Sequence, residues 1–292
     1  MLVLKKNKEN CTLPKAQLLK WVGNKQKIAT QIIKYFPRKF NTFYEPFLGS
    51  GAIMATLCPK KGIGSDIYPP LMAIWDMLKQ DPQCLIDWYE ERIDRINDQD
   101  KVTVYNDIRD SFNKNNNGAD FIFLLRACYG GVIRFRKADG FMSTPCGVHT
   151  PISAETFRKR VYEWSERMAN VEFRQCDYKT IFDQAHEGDL IYCDPPYPIS
   201  QNILYGAHDF KLTELFDCID QAKNRGVFVA LSIDGSKKAN RYLENLEFPD
   251  DLFQRDISLS LGNSMLKRFQ MEGLKIRSEK AIKDRLLLTY RL

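Results

Sequence analysis

Two spacings of apolar residues run through this chain. From Lys25 to Phe36, Ile28, Ile32 and Phe36 recur at every fourth position until Pro37 interrupts, which predicts an amphipathic helix. Thr42 to Phe47 is a short apolar and aromatic run leading into Leu48-Gly49-Ser50-Gly51, a strand entering a glycine turn. Ala52 to Leu57 predicts a helix, and Gly62 to Ser65 a second strand that ends at Asp66. Strand, glycine loop, helix and strand in succession open a doubly wound α/β sheet.

Residues 70 to 127 read mostly as helices, broken by a polar loop from Asn113 to Gly118. The stretch from Gly130 to Gly147 differs: four glycines punctuate it, and Arg134, Arg136 and Lys137 interleave with Phe135 and Phe141. A further amphipathic helix is predicted from Ser153 to Met168. Strand patterns then return at Val171–Gln175, Asp189–Cys193, Val227–Ile233, Gln254–Leu261 and Leu286–Tyr290, with helices at Leu212–Asn224 and Ser236–Leu246 between them. The expected architecture is a discontinuous sheet domain, 1–75 and 166–292, interrupted by a helical and looped insertion at 76–165.

Composition narrows the class. With 292 residues, 44% hydrophobic, 27% charged, 16 Gly and 13 Pro, the chain is an ordinary globular one, which excludes collagenous, fibrous and disordered proteins. No apolar run approaches the roughly eighteen residues of a membrane span. The opening Met-Leu-Val-Leu-Lys-Lys has no apolar core followed by a cleavage site, so the expected location is the cytoplasm. Eight scattered cysteines without a Cys-x-x-Cys pair fit reduced thiols rather than a zinc ribbon, and the three histidines stand apart, so no metal is expected.

Charge is unevenly placed. Residues 1–40 hold ten Lys or Arg against one acid, Glu9, and residues 264–292 hold eight bases against three acids. The body between them holds 25 bases and 33 acids. Basic ends on an acidic body suit a polyanionic partner if both ends fold onto one face. A solubilising surface would look the same from charge alone.

Two motifs point to chemistry. Gly49 and Gly51 let the backbone approach a ligand where a strand turns into a helix, and Asp66 at the end of the next strand can accept hydrogen bonds from ribose hydroxyls. The third glycine of a dinucleotide fingerprint is replaced by Met54, and no phosphate-binding P-loop pattern occurs. A nucleoside without a phosphate chain fits better, S-adenosylmethionine being the common one, while a tight structural turn explains this loop equally well. The second motif is more specific. The apolar strand Asp189 to Cys193 ends in Asp194-Pro195-Pro196-Tyr197, whose prolines stop the strand at the sheet edge where ligands bind. Asp194 and the Pro195 carbonyl can each accept one N–H of an exocyclic amine, and Tyr197 can stack on its ring.

The combination resembles the Dam-type DNA adenine-N6 methyltransferases of the alpha-order class. The resemblance runs through Lys20-Trp21-Val22-Gly23-Asn24-Lys25, Glu45-Pro46-Phe47-Leu48-Gly49-Ser50-Gly51, Asp66-Ile67, Asp194 to Tyr197 and the closing strand Leu286 to Tyr290, in that order. It implies a Rossmann-like methyltransferase sheet with a DNA-recognition insertion. It also implies cofactor contacts from Trp21, Lys25, Glu45, Phe47, Gly49, Gly51, Asp66 and Asp194, with Asp177-Tyr178 beside the cofactor's adenine. The expected activity is methyl transfer from S-adenosylmethionine to adenine N6 in double-stranded DNA, with the base flipped into the pocket. Asp194, Pro195, Pro196 and Tyr197 are the expected catalytic segment, and Arg134, Arg136 and Lys137 the expected DNA contacts. A monomer is expected, with a restriction endonuclease of the same system as a possible partner. Two alternatives stand beside this reading: methylation of another amine (cytosine N4, an RNA adenine or a protein amide), and a non-catalytic DNA-binding relative.

Overall fold

Strands built from a few wholly buried residues, and the order in which they pair, decide where the site lies. The computed structural model describes residues 12–196, 210–234, 251–260 and 283–291. The predicted helix Ser236–Leu246 and Tyr197 lie outside these described residues.

The expected helix Lys25–Phe36 is split. Lys25, itself buried, precedes a 3-10 turn at Gln26–Ile28, and α1 (Ala29–Ile33) follows, closed by turn hydrogen bonds from Tyr35 to Ile32 and from Phe36 to Ile33. Ile28, Ile32 and Phe36 are buried, as their spacing predicts. Next come β1 (Phe43–Glu45), α2 (Ala52–Leu57), β2 (Gly62–Asp66), α3 (Pro69–Gln80), α4 (Pro82–Asp98), α5 (Lys101–Asn115) and α6 (Gly118–Ala127). Asp81, Asp100 and Asn117 each accept a first-turn amide at the start of α4, α5 and α6, which divides one long helical region into separate helices. The polar loop expected at Asn113–Gly118 shrinks to Asn116 and Asn117. Asn113 lies within α5, and its side-chain amide pairs with both backbone groups of Met142.

A 3-10 turn at Tyr129–Gly131 leads into a short hairpin in which Phe135 bridges Met142. Then follow α7 (Ala154–Arg167), capped by Ser153, β3 (Val171–Gln175), α8 (Tyr178–Gln184), β4 (Leu190–Cys193), α9 (Leu212–Asn224), β5 (Phe228–Asp234), β6 (Arg255–Ser260) and β7 (Lys283–Leu288). The short helix α8 was not predicted: seven residues are too few for a clear apolar period.

The seven strands form one sheet in the order β3-β2-β1-β4-β5-β7-β6. Strands β1 to β5 are parallel, with Tyr44 opposite both Ile63 and Ile191. Strand β7 runs antiparallel between β5 and β6. The chain builds outward from β1 through β2 to β3, then returns to build the other half from β4. The strand order therefore reverses between β1 and β4, and a crevice opens at the carboxyl ends there, where such sheets bind ligands. Both faces are covered, as near-continuous apolar strands such as Leu190–Cys193 require. One apolar cluster joins Phe43, Leu190 and Tyr192 to Trp75, Tyr89, Phe121, Phe157 and Trp164 of the helices between β2 and β3. The other joins Tyr44, Ile63 and Ile191 to Phe182, Leu215 and Ile219.

The segment ahead of Trp21 is held by its backbone carbonyls. Arg167 donates to Thr12, Gln26 to Pro14, Trp164 to Ala16, Arg160 to Gln17 and Arg126 to Leu18, at 2.5–2.9 Å. These donors fix an extended strip of chain along α7 and deliver Trp21 to the crevice. Among the described residues, no helix is long and apolar enough to cross a membrane.

Candidate active site

The crevice is lined by the residues that end four parallel strands. Glu45, Pro46 and Phe47 leave β1, Asp66 leaves β2, Asp177 follows β3, and Asp194 follows β4. They enclose a cavity of about 420 Å³, within the range of small-molecule sites.

The glycine turn shapes its floor. Gly49 and Gly51 have φ of +45° and +61°, a region that side chains rarely adopt. A Cβ on Gly49 would lie 2.7 Å from Trp21 Nε1, and one on Gly51 would lie 2.9 Å from Met168 and 3.0 Å from Trp75. Gly49 thus lets Trp21 close on the turn. Gly51 faces the packed interior and does not line the cavity. The Glu45 carboxylate turns back to accept the Met54 amide at 3.0 Å in the first turns of α2. Burial pushes Glu45 well above the usual carboxylate range, the Met54 hydrogen bond opposes this, and the negative charge of Asp194 adds to it.

Asp66 holds the turn from the other side, accepting the amides of Gly49 and Tyr68, each at 3.1 Å. Burial raises its pKa to about 6 despite those hydrogen bonds. An ionised carboxylate has more acceptor positions than these amides fill. Across the cavity Phe47 stacks on Tyr178 at 5.2 Å, and Phe210 meets both edge-on, giving an apolar aromatic wall. Asp177 is exposed and caps α8 by accepting the Lys179 amide. At the rim, Glu214 pairs with Lys179 and Lys211.

Behind the β4 end lies an ion triad. Lys25 Nζ is 3.0 Å from Asp194 Oδ1 and 3.1 Å from Asp284 Oδ2. Burial disfavours the ammonium, but the two carboxylates and their hydrogen bonds outweigh it, so the Lys25 pKa is raised.

Residues 21–257 match the family described as D12 class N6 adenine-specific DNA methyltransferase. The chain belongs to this family. It is 28% identical over 257 residues to the Type II methyltransferase M1.LlaDCHI of Lactococcus lactis, covering 82% of this chain and 87% of the relative. It is 27% identical over 273 residues to the DNA adenine methylase of Haemophilus influenzae, covering 88% and 93%. It is 32% identical over 200 residues to the Type II methyltransferase M.MjaIII of Methanocaldococcus jannaschii, covering 61% and 68%.

As an adenine-specific DNA methyltransferase, the chain acts on DNA and requires a methyl donor. The structure brings Trp21, Lys25, Glu45, Phe47, Gly49, Asp66, Asp177, Tyr178, Asp194 and Pro196 to one cavity. Arg134, Arg136 and Lys137 lie apart from it, exposed on the insertion hairpin. There Arg136 makes a bidentate pair with Asp139 and covers the Phe141 ring at 4.3 Å. Sequence reasoning missed Phe210 and Glu214, which complete the cavity wall and rim, and Asp284. The available signal for Asp284 was an acid set at the start of the apolar run Leu286 to Leu288.

Proposed function

We propose that this enzyme methylates adenine N6 in double-stranded DNA with S-adenosylmethionine held in the β1–β4 crevice. The observation that carries the reading is Asp194, in Asp-Pro-Pro at the end of β4, lining the same cavity as Asp66 and the glycine turn. The donor set fits this cofactor. Carboxylates at Asp66 and Asp177 suit ribose hydroxyls and an adenine amine, the Phe47–Tyr178–Phe210 wall suits a purine ring, and an acid-rich lining suits a cation and disfavours a polyphosphate. When bound, the cofactor supplies an electrophilic methyl group on a sulfonium.

The protein's part is binding and orientation. The target adenine is flipped out of the duplex, losing a few kcal/mol of pairing and stacking. Asp194 and the Pro195 carbonyl accept its two N–H bonds and draw the nitrogen lone pair out of the ring, while Tyr197, beyond the described residues, stacks on the base. Lys25 pairs with the Asp194 carboxylate and fixes its position. Alignment of this kind supplies most of the rate in a direct displacement.

The insertion at 76–165 is the proposed recognition part, mounted on a catalytic part formed by 1–75 and 166–292. Arg134, Arg136 and Lys137 are its proposed DNA contacts. One candidate active site among the described residues supports a monomer. Relatives named Type II methyltransferases support a place beside a restriction endonuclease of the same sequence specificity.

The test incubates the enzyme with unmethylated duplex DNA and methyl-labelled cofactor, then separates the nucleosides. Label in N6-methyl-2′-deoxyadenosine is the expected result, and label in a cytosine derivative or none at all sinks the reading. Two further outcomes are expected. Arg134→Ala weakens the cognate duplex by about 1–3 kcal/mol while leaving scrambled duplexes near the wild-type value. It is the better choice of the two arginines because Arg136 is held by Asp139. Cofactor affinity is expected to be flat above neutral pH and to fall about tenfold per unit well below 6, as the acceptor Asp66 takes up a proton. Asp66→Asn is expected to bind more weakly and to lose that fall, which calorimetry across pH 5 to 8 reads directly.

A further inference from the structure

Two cysteines face each other at the base of the insertion hairpin. Cys128, directly after α6, forms an isolated antiparallel bridge with Cys146 on the returning segment. The Tyr129 amide donates to the Pro145 carbonyl and the Gly147 amide to the Ala127 carbonyl, each at 2.8 Å. These bonds flank the two cysteines without joining them, so Cys128 and Cys146 are a non-hydrogen-bonded pair. In that register opposed Cα atoms lie about 4.5 Å apart, with the side chains close together on one face. A disulfide spans Cα atoms about 4.4–6.8 Å apart, so the backbone is already spaced for one. Both residues are free thiols.

The pairing is held from outside the hairpin. Tyr105 Oη donates to the Thr144 carbonyl and Lys101 Nζ to the Gly147 carbonyl, both at 2.8 Å, so α5 grips the returning segment on either side of Cys146. A Cβ on Gly147 would lie 2.8 Å from the Ala127 oxygen and 2.9 Å from the Cys128 oxygen, so glycine there permits the close approach. Cys128 is buried and Cys146 partly buried, so a reagent from solvent meets Cys146 first. Burial pushes both thiols up, Cys128 to about 12, with Lys20 opposing at Cys128 and Lys101 at Cys146. Such thiols rest protonated near neutral pH and react slowly.

We propose that Cys128 and Cys146 are a modification site, a thiol pair that a low-molecular-weight disulfide such as oxidised glutathione converts into a protein disulfide, stapling the base of the hairpin that carries Arg134, Arg136 and Lys137. The Cys146 thiolate attacks one sulfur of the oxidant, releasing one small thiol and leaving a mixed disulfide. The Cys128 sulfur then displaces the second small thiol from Cys146. The two protein thiols give up two electrons to the oxidant, and their two protons leave on the released thiols. Neither cysteine lines the crevice, so the staple acts on the hairpin and leaves the cofactor cavity as it is.

The test equilibrates the full wild-type chain with excess oxidised glutathione, alkylates the remaining thiols and weighs the tryptic peptides. Trypsin separates Cys128, in residues 127–134, from Cys146, in residues 138–158. The expected product is one species joining these two peptides, lighter than their sum by two hydrogens and returned to separate peptides by a dithiol reductant. Cys128→Ser is expected to stop at the mixed disulfide, with glutathione on Cys146, a species that does not accumulate in the wild-type chain. Alkylated thiols at both wild-type positions, glutathione retained on wild-type Cys146, or either cysteine joined to a different one overturns the proposal. The wild-type masses decide the matter even if Cys128→Ser does not fold. The oxidised chain is also expected to melt above the reduced one, by a margin that Cys146→Ser carried through the same treatment does not show. An equal or lower melting temperature means that the bond distorts the hairpin, and overturns the staple.

Discussion

Asp194→Ala is expected to lower single-turnover methylation by at least about a thousandfold, at the upper end of what one preorganised hydrogen-bonding group supplies. The carboxylate is the group that holds the reacting amine, so its loss removes orientation as well as charge. The fold should survive, because Lys25 retains Asp284 as a counter-ion 3.1 Å away, and a thermal melt verifies this. Asp194→Asn is expected to fall between the two, since an amide oxygen can still accept one N–H but carries no charge. Labelled-methyl transfer to duplex DNA, at saturating cofactor and DNA, is the measurement. Near wild-type turnover by a folded Asp194→Ala chain would remove Asp194 from the mechanism.

What the sequence showed of this site, and what it hid, follows from where the chemistry sits along the chain. Glu45 to Gly51 and Asp194 to Pro196 were legible because each compresses a strand end, a turn and a functional group into a few adjacent residues. The positive φ at Gly49 and the approach of Trp21 to it give the physical reason for a glycine there. Asp66 was legible for the same cause, as an acid ending a strand after a glycine loop. The helix spacing that buries Ile28, Ile32 and Phe36 was correct, yet the element itself was overdrawn, because periodicity marks a buried face and not the hydrogen bonds that start a helix. Asn113 looked like a loop residue by type, but its pairing with Met142 is a tertiary contact that no local pattern records. Phe210 and Glu214 join the crevice only through the packing of α9 beside α8, and Asp284 only through the reversed direction of β7. Their types were visible, and their neighbours were not.

Lys25 pairs with both Asp194 and Asp284, and removing its ammonium is expected to be the most destabilising single change in the crevice. Lys25→Met leaves the Asp194 and Asp284 carboxylates without the ammonium they share, a loss of about 3–5 kcal/mol by analogy with other buried pairs broken from one side. Methionine fills most of the volume, so the cost comes from charge rather than from a cavity. The pH dependence separates these causes. In the wild-type chain the raised Lys25 pKa means that its contribution is fully present below the unfolded lysine value of about 10.4 and is lost as pH rises through the higher folded value. In the variant the cheapest relief is for one acid of the pair to take up a proton, so the folded state binds more protons than the unfolded chain in the acid range. Stability of the variant therefore falls as pH rises, and its deficit is expected to be smaller near pH 5 than near pH 8. Denaturant unfolding at those two values measures it. Adding Asp284→Asn to Lys25→Met leaves a single carboxylate, which is expected to recover a large part of the loss at the higher pH. A deficit independent of pH, or no recovery in the double variant, would mean that Lys25 supports the crevice by packing and that the charges of Asp194 and Asp284 are settled by other groups.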